Sequence, residues 1–218
     1  MQTRVSQFFV DNRNEISFVA GSGVSFFGVK SALGDVALTL SAPNAANFAP
    51  SGIQFTTMPR QLPCADNNGL LSSGRLQMQS IMFPKGAILS NIGFVSGTTA
   101  ANGPTHQLFG IYDSALNLLA TTADGTTTAW AANSLQTFPL TAPFTTTYDG
   151  FHYVAMMITV STTLPSLACF AGGGTAVTGP AAILPVTAGV STTGLTTSLP
   201  STAAAINAQS TIVYAQVG

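Results

Sequence analysis

Few side chains in this 218-residue chain could carry acid–base chemistry, because it contains only two histidines and seven acidic residues. The densest cluster is Asp149-Gly150-Phe151-His152, where His152 with Asp149 or Asp113 could orient a base for one of the many serines. No Gly-x-Ser-x-Gly nucleophile elbow is present, and Asp149-Gly150 is typical of a turn before a strand. The sequence therefore predicts a protein that is not an enzyme.

Metal and cofactor sites are not predicted either. His106 with Asp113 and Asp124 offers suitable ligand types, but the His-x-His and Asp-x-Asp-x-Asp-Gly spacings are absent, which favours a loop histidine. The glycine-rich run 171–175 resembles a phosphate loop but lacks the following Gly-Lys that would meet the phosphates. We expect that run to form a turn.

A carbohydrate contact is the remaining candidate chemistry. Trp130 is the only tryptophan, and with Tyr112, His106 and Asp124 it could bind a glycan by ring stacking and hydrogen bonding. The alternative for Trp130 is an anchor in the core or at a protein interface, which is the commoner role of a large aromatic side chain. The sequence leaves both roles open.

The elements that must position these residues belong to a chain with very little charge. Only 13 of 218 residues are Lys, Arg, Asp or Glu, and none lies beyond Asp149. A typical soluble domain is about 25% charged, and dispersed charge is what keeps proteins apart in solution. We therefore expect burial against other chains in an ordered assembly. The six basic residues form no patch for a phosphate backbone, so nucleic-acid binding is not expected.

Three further features bear on the location of the protein. No apolar run approaches the roughly 18 residues of a membrane helix, so membrane insertion is not expected. The first six residues lack the pattern of a secretory signal. Cys64 and Cys169 are the only cysteines, and the sequence allows either two buried thiols or one disulfide.

The pattern of apolar residues predicts an all-β chain. β-branched and aromatic residues recur in short runs between Gly, Pro, Asn and Asp, and helical periodicity is nearly absent. Phe83-Pro84-Lys85-Gly86 has the composition of a turn. About eight strands predict a jelly-roll-like antiparallel β-sandwich over residues 56–218. The strands are expected at 76–83, 88–95, 107–112, 118–120, 135–140, 151–160, 167–170, 183–190 and 211–217.

Two flanking regions are expected to make contacts with other molecules. Residues 1–55 are expected to form an N-terminal β arm or small sheet, whose last part, 41–52, has the composition of a linker near the domain boundary. The arm is too short for a core of its own, so its paired aromatic residues are expected to dock on a neighbouring lattice. The uncharged region 172–210 is expected to be ordered by packing, as long loops at a subunit interface. The candidate docking residues are Phe8, Phe9, Phe26 and Phe27.

Several short motifs over residues 60–170 are similar to those of a known protein family. They comprise Leu71-Ser72-Ser73-Gly74-Arg75-Leu76, Phe83-Pro84-Lys85-Gly86, the run 97–113, the run 121–130 and Tyr148-Asp149-Gly150-Phe151-His152-Tyr153. This stretch resembles a β-sandwich domain of tailed-bacteriophage virion proteins, found in minor tail and other surface proteins, especially of phages that infect actinobacteria. The resemblance implies no catalytic residues.

The resemblance and the low charge together predict a structural protein of the virion surface, assembled in the host cytoplasm. We expect a capsid decoration protein that reinforces the lattice as a homo-oligomer, most simply a trimer, with major capsid or tail proteins as partners. The alternative is a minor tail protein, an adhesin that recognises carbohydrate of the host envelope. No cofactor is expected in either case.

Overall fold

The computed structural model describes residues 55–63, 65–67, 71–126, 128–171 and 186–218, together with the backbone of four short N-terminal strands. The chain divides into two compact units, Met1–Ser51 and Gly52–Gly218. Phe26, Cys64 and the glycines of the 171–175 run lie outside the described residues. The predicted roles of these residues are therefore not addressed by the structure.

The described residues are all-β, which confirms the predicted fold class. They form antiparallel sheets and contain no helix, so none of them belongs to a helix that could span a membrane. In the N-terminal unit β1 (Phe8–Val10) pairs with β2 (Ile16–Phe18), and β3 (Phe27–Lys30) pairs with β4 (Val36–Thr39). The second unit contains β5 (Phe55–Thr56), β6 (Ala65–Asn67), β7 (Gln77–Phe83), β8 (Ile88–Val95), β9 (Asn102–Tyr112), β10 (Leu118–Thr121), β11 (Leu135–Thr145), β12 (Gly150–Thr163), β13 (Leu167–Ala171), β14 (Ala188–Val190), β15 (Asn207–Ala208), β16 (Thr211–Val213) and β17 (Ala215–Val217).

The described residues of the second unit form three sheets. The largest has six strands in the order β10-β9-β12-β7-β14-β15, and a four-stranded sheet has the order β11-β8-β17-β5. A third sheet has the order β16-β13-β6. A jelly roll distributes eight strands over two sheets by two Greek keys, and this strand order does not confirm that topology. One sheet has six strands, and the β9–β10 hairpin stays within it.

Both faces of the six-stranded sheet are buried. Along β12, Val154, Met156 and Ile158 belong to one apolar cluster, whereas Tyr153 and Met157 belong to another. Successive side chains of a strand point to opposite faces, so the two clusters lie on opposite sides of the sheet. The first, here called the inner core, also contains residues of the four-stranded sheet, including Leu89, Ile92, Phe94 and Val217.

The second face is covered by an irregular segment instead of a sheet. We call residues 191–206 the strap. Leu195, Leu199 and Ala203 of the strap pack against the second cluster, here called the strap face. Backbone hydrogen bonds hold the strap, including Leu195 N to Gly74 O at 2.9 Å and Leu118 N to Ser201 O at 2.8 Å. Part of the uncharged C-terminal region is therefore buried against its own chain.

Candidate functional site

Strand β9 brings His106 and Asp124 together, as the glycan hypothesis requires. His106 Nδ1 lies 2.6 Å from Asp124 Oδ2, and the backbone N–H of Gln107 donates to Asp124 Oδ1 at 2.9 Å. Asp124 lies in the loop after β10, and the hydrogen bond from β9 fixes its carboxylate beside the strand. Because the carboxylate can only accept, Nδ1 carries the proton, and Nε2 is left as the second polar atom of the ring.

Gln107 organises the loop that carries Asp124, a role that sequence reasoning missed. Its buried side chain donates from Nε2 to Gly125 O at 2.6 Å and to Thr128 O at 2.7 Å. Its Oε1 accepts a hydrogen bond from Trp130 Nε1. A lone glutamine in a strand gives no sequence signal, because only the fold shows that three loop groups converge on it.

Trp130 is part of the inner core and not of the surface. Its side chain is 1% exposed, and its ring lies 5.4 Å from Phe138 and 6.0 Å from Phe109 between centroids. A ring enclosed in this way has no free face for a sugar. The structure therefore assigns Trp130 to the core-anchor alternative, with its N–H satisfied by Gln107.

Tyr112 is also unavailable to a glycan. It lies at the far end of β9 from His106, is 0% exposed and belongs to the strap face. Its hydroxyl donates to Pro200 O at 2.9 Å, and burial strongly raises the pKa of that hydroxyl. Tyr112 therefore holds the strap, and two of the four predicted glycan residues belong to the interior.

The remaining His106–Asp124 pair lies in a half-exposed, polar setting. The two side chains are 30% and 28% exposed, and the hydroxyls of Thr105 and Thr159 form a 2.7 Å hydrogen bond near this end of the sheet. His106 is opposite Thr159 in the β9–β12 register. The described residues contain no group of three or more His, Cys, Asp or Glu side chains placed to hold a metal ion. The pair can offer hydrogen bonds to a polar ligand.

The cluster at residues 149–152 is not arranged as a catalytic triad. Asp149 Oδ1 accepts the N–H of Lys85 at 2.7 Å, which closes two turns against each other. Asp113 accepts hydrogen bonds from Ala115 N at 2.9 Å and Asn117 N at 2.8 Å, which shapes the β9–β10 turn. His152 is fully buried and bonds to the carbonyl of Gly150 at 3.1 Å. Each group is engaged in local structure.

Asp66 is a second residue that sequence reasoning missed. Its carboxylate accepts hydrogen bonds from the N–H of Thr98 at 2.9 Å and from the Thr98 hydroxyl. Hydrogen bonds from Ser166 and Thr98 lower the pKa of Asp66, with the Ser166 contribution the largest. A Cβ at Gly97 would lie 1.9 Å from Asp66 Oδ1, so only glycine admits the carboxylate. Asp66 thereby ties β6 to the loop after β8.

The cysteines and the aromatic arm complete the predicted residues. Cys169 is buried and lies opposite Ala65 in the β13–β6 register. Ala65 is the residue that follows Cys64 in the sequence, so the alternative of a disulfide stays open. Phe8 and Phe9 lie in β1, and Phe27 begins β3. In the β1–β2 register Phe8 is opposite Phe18, and Val10 is opposite Ile16.

Comparison with known proteins finds no match to this chain. No family model matches the chain, and no curated protein and no solved structure matches it.

Proposed function

We propose that this chain is a structural protein of a bacteriophage virion surface, and that it acts as a capsid decoration protein. The observation that carries the proposal is the distribution of charge: 13 charged residues in 218, and none after Asp149. Such a surface is favoured where it is covered in an assembly, because it lacks the dispersed ions that keep free proteins apart. The phage resemblance over residues 60–170 supplies the kind of assembly.

The two units suggest a division of labour in this proposal. The unit Met1–Ser51 contains the two-stranded sheets β1–β2 and β3–β4, and isolated two-stranded sheets are marginally stable in water. Docking on a capsid lattice would stabilise them. The sandwich unit, Gly52–Gly218, associates with further copies, most simply as a trimer. Each Å² of apolar surface covered contributes about 25 cal/mol before ordering costs.

The proposal is tested on virions of the phage whose genome encodes the chain. Immunogold labelling with an antibody against the sandwich unit is expected to mark the head. Heads assembled without the protein should bind the full chain in a sedimentation assay. A full-length variant with Phe8, Phe9, Phe26 and Phe27 all changed to Ser should bind at least tenfold more weakly, because the loss of only two contacts of about 1 kcal/mol each already exceeds the roughly 1.4 kcal/mol of a tenfold change. Light scattering of the free protein measures the expected oligomer.

The matched control for this experiment is a change elsewhere on the surface. Phe170→Ser alters one exposed aromatic residue of the sandwich unit and should leave head binding unchanged. Absence of the protein from purified virions would contradict the whole proposal. Labelling confined to the tail tip would contradict decoration and favour the second candidate.

The second candidate is a minor tail protein that acts as an adhesin for host-envelope carbohydrate. The half-exposed His106–Asp124 pair favours it, because carboxylate and imidazole groups next to Thr hydroxyls are hydrogen-bonding partners for sugar hydroxyls. Trp130 and Tyr112 take no part, since both are buried. His106→Ala is expected to abolish retention on host cell-wall glycan if this candidate holds. Unchanged retention in that variant would exclude the pair as the contact.

A further inference from the structure

His152 lies in an aromatic enclosure at the beginning of β12. Its side chain is 0% exposed, and its ring stacks on Tyr148 with centroids 4.3 Å apart and an interplanar angle of 13°. Phe83, at the end of β7, approaches from another side with a centroid distance of 5.1 Å. Such an environment suits a neutral imidazole and disfavours a charged one.

The hydrogen bonds of His152 fix its tautomer. Nδ1 lies 3.1 Å from the carbonyl oxygen of Gly150, and since a carbonyl can only accept, Nδ1 carries the proton. Nε2 is buried and has no hydrogen-bond partner among the described residues. A proton added at Nε2 would therefore create a buried charge and a donor without an acceptor.

Tyr148 connects the His152 enclosure to the neighbouring turns. Its hydroxyl accepts a hydrogen bond from the N–H of Ser114 at 3.1 Å and donates one to the carbonyl of Phe151 at 3.0 Å. Beside it, Asp149 accepts the N–H of Lys85. The turn that precedes β12 is thus joined to the β9–β10 turn and to the β7–β8 turn, and the ring of His152 lies against the tyrosine that makes the first of these joins.

We propose that Tyr148 and His152 form an acid-released latch at this end of the six-stranded sheet. Protonation of His152 is favoured only when the ring leaves its enclosure, and leaving removes the stacked support of Tyr148. Release would expose the inner-core ring of Phe83 below neutral pH, because His152 packs against this 1% exposed ring in the closed latch. The proposal does not depend on the virion function.

The groups around the ring decide the direction of the effect. Burial lowers the pKa of His152, and the Gly150 carbonyl and the Asp113 carboxylate oppose that shift without overcoming it. Asp149 and Lys85 are the other charged groups of the turns joined at the latch, and they are engaged with each other through the Lys85 backbone. Because the folded pKa is lowered, the closed latch is fully favoured above the ordinary imidazole pKa and is weakened as the pH falls below it.

The test measures how often the latch opens at different pH values. Amide hydrogen exchange of Ser114 is followed by NMR in the full chain, and each rate is divided by the intrinsic rate at that pH. With an imidazole pKa of about 6.5 in the open form, the open population should rise between pH 7.5 and pH 5.0, by up to about 30-fold if the closed form takes up no proton in this range. The exchange of the Lys85 amide should rise in parallel with that of Ser114 if the contacts of the β12 turn with both neighbouring turns open together.

Substitutions of the two histidines assign the titration completely, because the chain has no others. His152→Phe keeps an aromatic ring in the enclosure and removes the ionisable group, so the rise should disappear. His106→Gln is the matched control at a half-exposed site and should retain the full rise. If His152→Phe fails to fold, Tyr148→Phe provides the second test, because it keeps the stack and loses the bond to Ser114. That variant should leave the Ser114 amide unprotected at every pH.

Three results would overturn the latch. The first is a Ser114 exchange ratio in the wild-type chain that is flat from pH 7.5 to 5.0. The second is increased protection in acid, which would mean that stacking on Tyr148 and the Asp113 charge stabilise the protonated ring. The third is a rise that persists in His152→Phe and vanishes in His106→Gln.

Discussion

The two faces of the six-stranded sheet are buried to a similar degree by very different means. The inner core is built between two sheets, and its residues come from regular strands with alternating side chains. The strap face is covered by residues 191–206, which form no strand and depend on close backbone approach. Burial of a sheet face therefore does not require a second sheet, provided that the covering segment can come near enough to exclude water.

Glycines make the close approach of the strap possible. A Cβ at Gly74 would lie 2.4 Å from Leu195 O, and one at Gly189 would lie 2.7 Å from Ile206 Cγ2. At Gly110, near the end of β9, a Cβ would meet the side chain of Leu199 at 2.8 Å. The inner core is sensitive to lost volume, whereas the strap face is sensitive to added atoms. Substitutions in the two faces are therefore expected to destabilise the fold by different amounts.

The largest effect is expected for Phe109→Ala in the inner core. Phe109 is fully buried, and its ring stacks on Phe138 with centroids 4.0 Å apart and approaches Phe94 at 5.4 Å. Removal of a buried phenyl ring leaves a cavity and costs about 3–5 kcal/mol of unfolding free energy. Equilibrium denaturation in urea, with the m-value compared between the two proteins, measures the loss.

Phe170→Ala is the control for that change, since Phe170 is the aromatic side chain of β13 that stays partly exposed. A surface truncation of this kind is expected to stay within about 0.5 kcal/mol. If Phe109→Ala costs no more than Phe170→Ala, the ring stack contributes little and the inner core is packed differently from this account.

The sequence predicted the inner core far better than the strap face. Strand β8 was predicted with the bounds at which it is found, and the Phe83-Pro84-Lys85-Gly86 turn is confirmed, with Gly86 at φ +83°. Period-two alternation and turn residues depend on neighbours in sequence, which is why one chain suffices to predict them. The strap depends on contacts between residues far apart in the chain, and its Thr-, Ser- and Ala-rich composition is compatible with many conformations.

The candidate site shows the same limit. The sequence singled out His106 and Asp124, and these two side chains do meet. It could not show that Tyr112, at the end of β9, is buried in the strap face. The burial of Trp130 depends on the loop that Gln107 holds through three hydrogen bonds. Residue type suggests a chemistry, whereas exposure is decided by tertiary packing.

The next largest effect is expected for Gly74→Ala at the strap face. Gly74 has φ +71°, and the added Cβ would collide with the backbone oxygen of Leu195. Gly194→Ala is a closely matched control, because Gly194 has φ +76° and no atom within 4 Å of the added Cβ. The left-handed conformation costs about 1–2 kcal/mol in both variants, so any excess in Gly74→Ala reports the collision.

We expect the additional loss of stability in Gly74→Ala to be accompanied by detachment of the strap from the sheet. Limited proteolysis should cut the strap of Gly74→Ala faster than the strap of the wild-type chain or of Gly194→Ala, because detachment exposes its backbone. Equal destabilisation and equal cleavage in the two alanine variants would mean that backbone conformation, and not close approach, limits the strap face.

The smallest effect is expected for Tyr112→Phe, which keeps the ring in the strap face and deletes only the hydrogen bond to Pro200 O. Loss of one such bond costs about 1 kcal/mol. Tyr214→Phe is the comparison variant, because the Tyr214 hydroxyl donates its hydrogen bond to Gln216 Oε1 in β17, at 3.4 Å, and not to the strap. Faster proteolysis of the strap should therefore occur in Tyr112→Phe alone.

The pH dependence of Tyr112→Phe sharpens the assignment of that bond. Burial raises the pKa of Tyr112, so the protonated hydroxyl contributes stability that is fully present below the ordinary tyrosine pKa of about 10 and is lost as the pH rises above it. The wild-type chain should lose stability more steeply than Tyr112→Phe between pH 9.5 and 11, measured by urea denaturation at each pH. Parallel curves for the two proteins would mean that Tyr112 ionises in the folded chain as readily as in the unfolded one, and that the strap is held by its backbone bonds and apolar contacts alone.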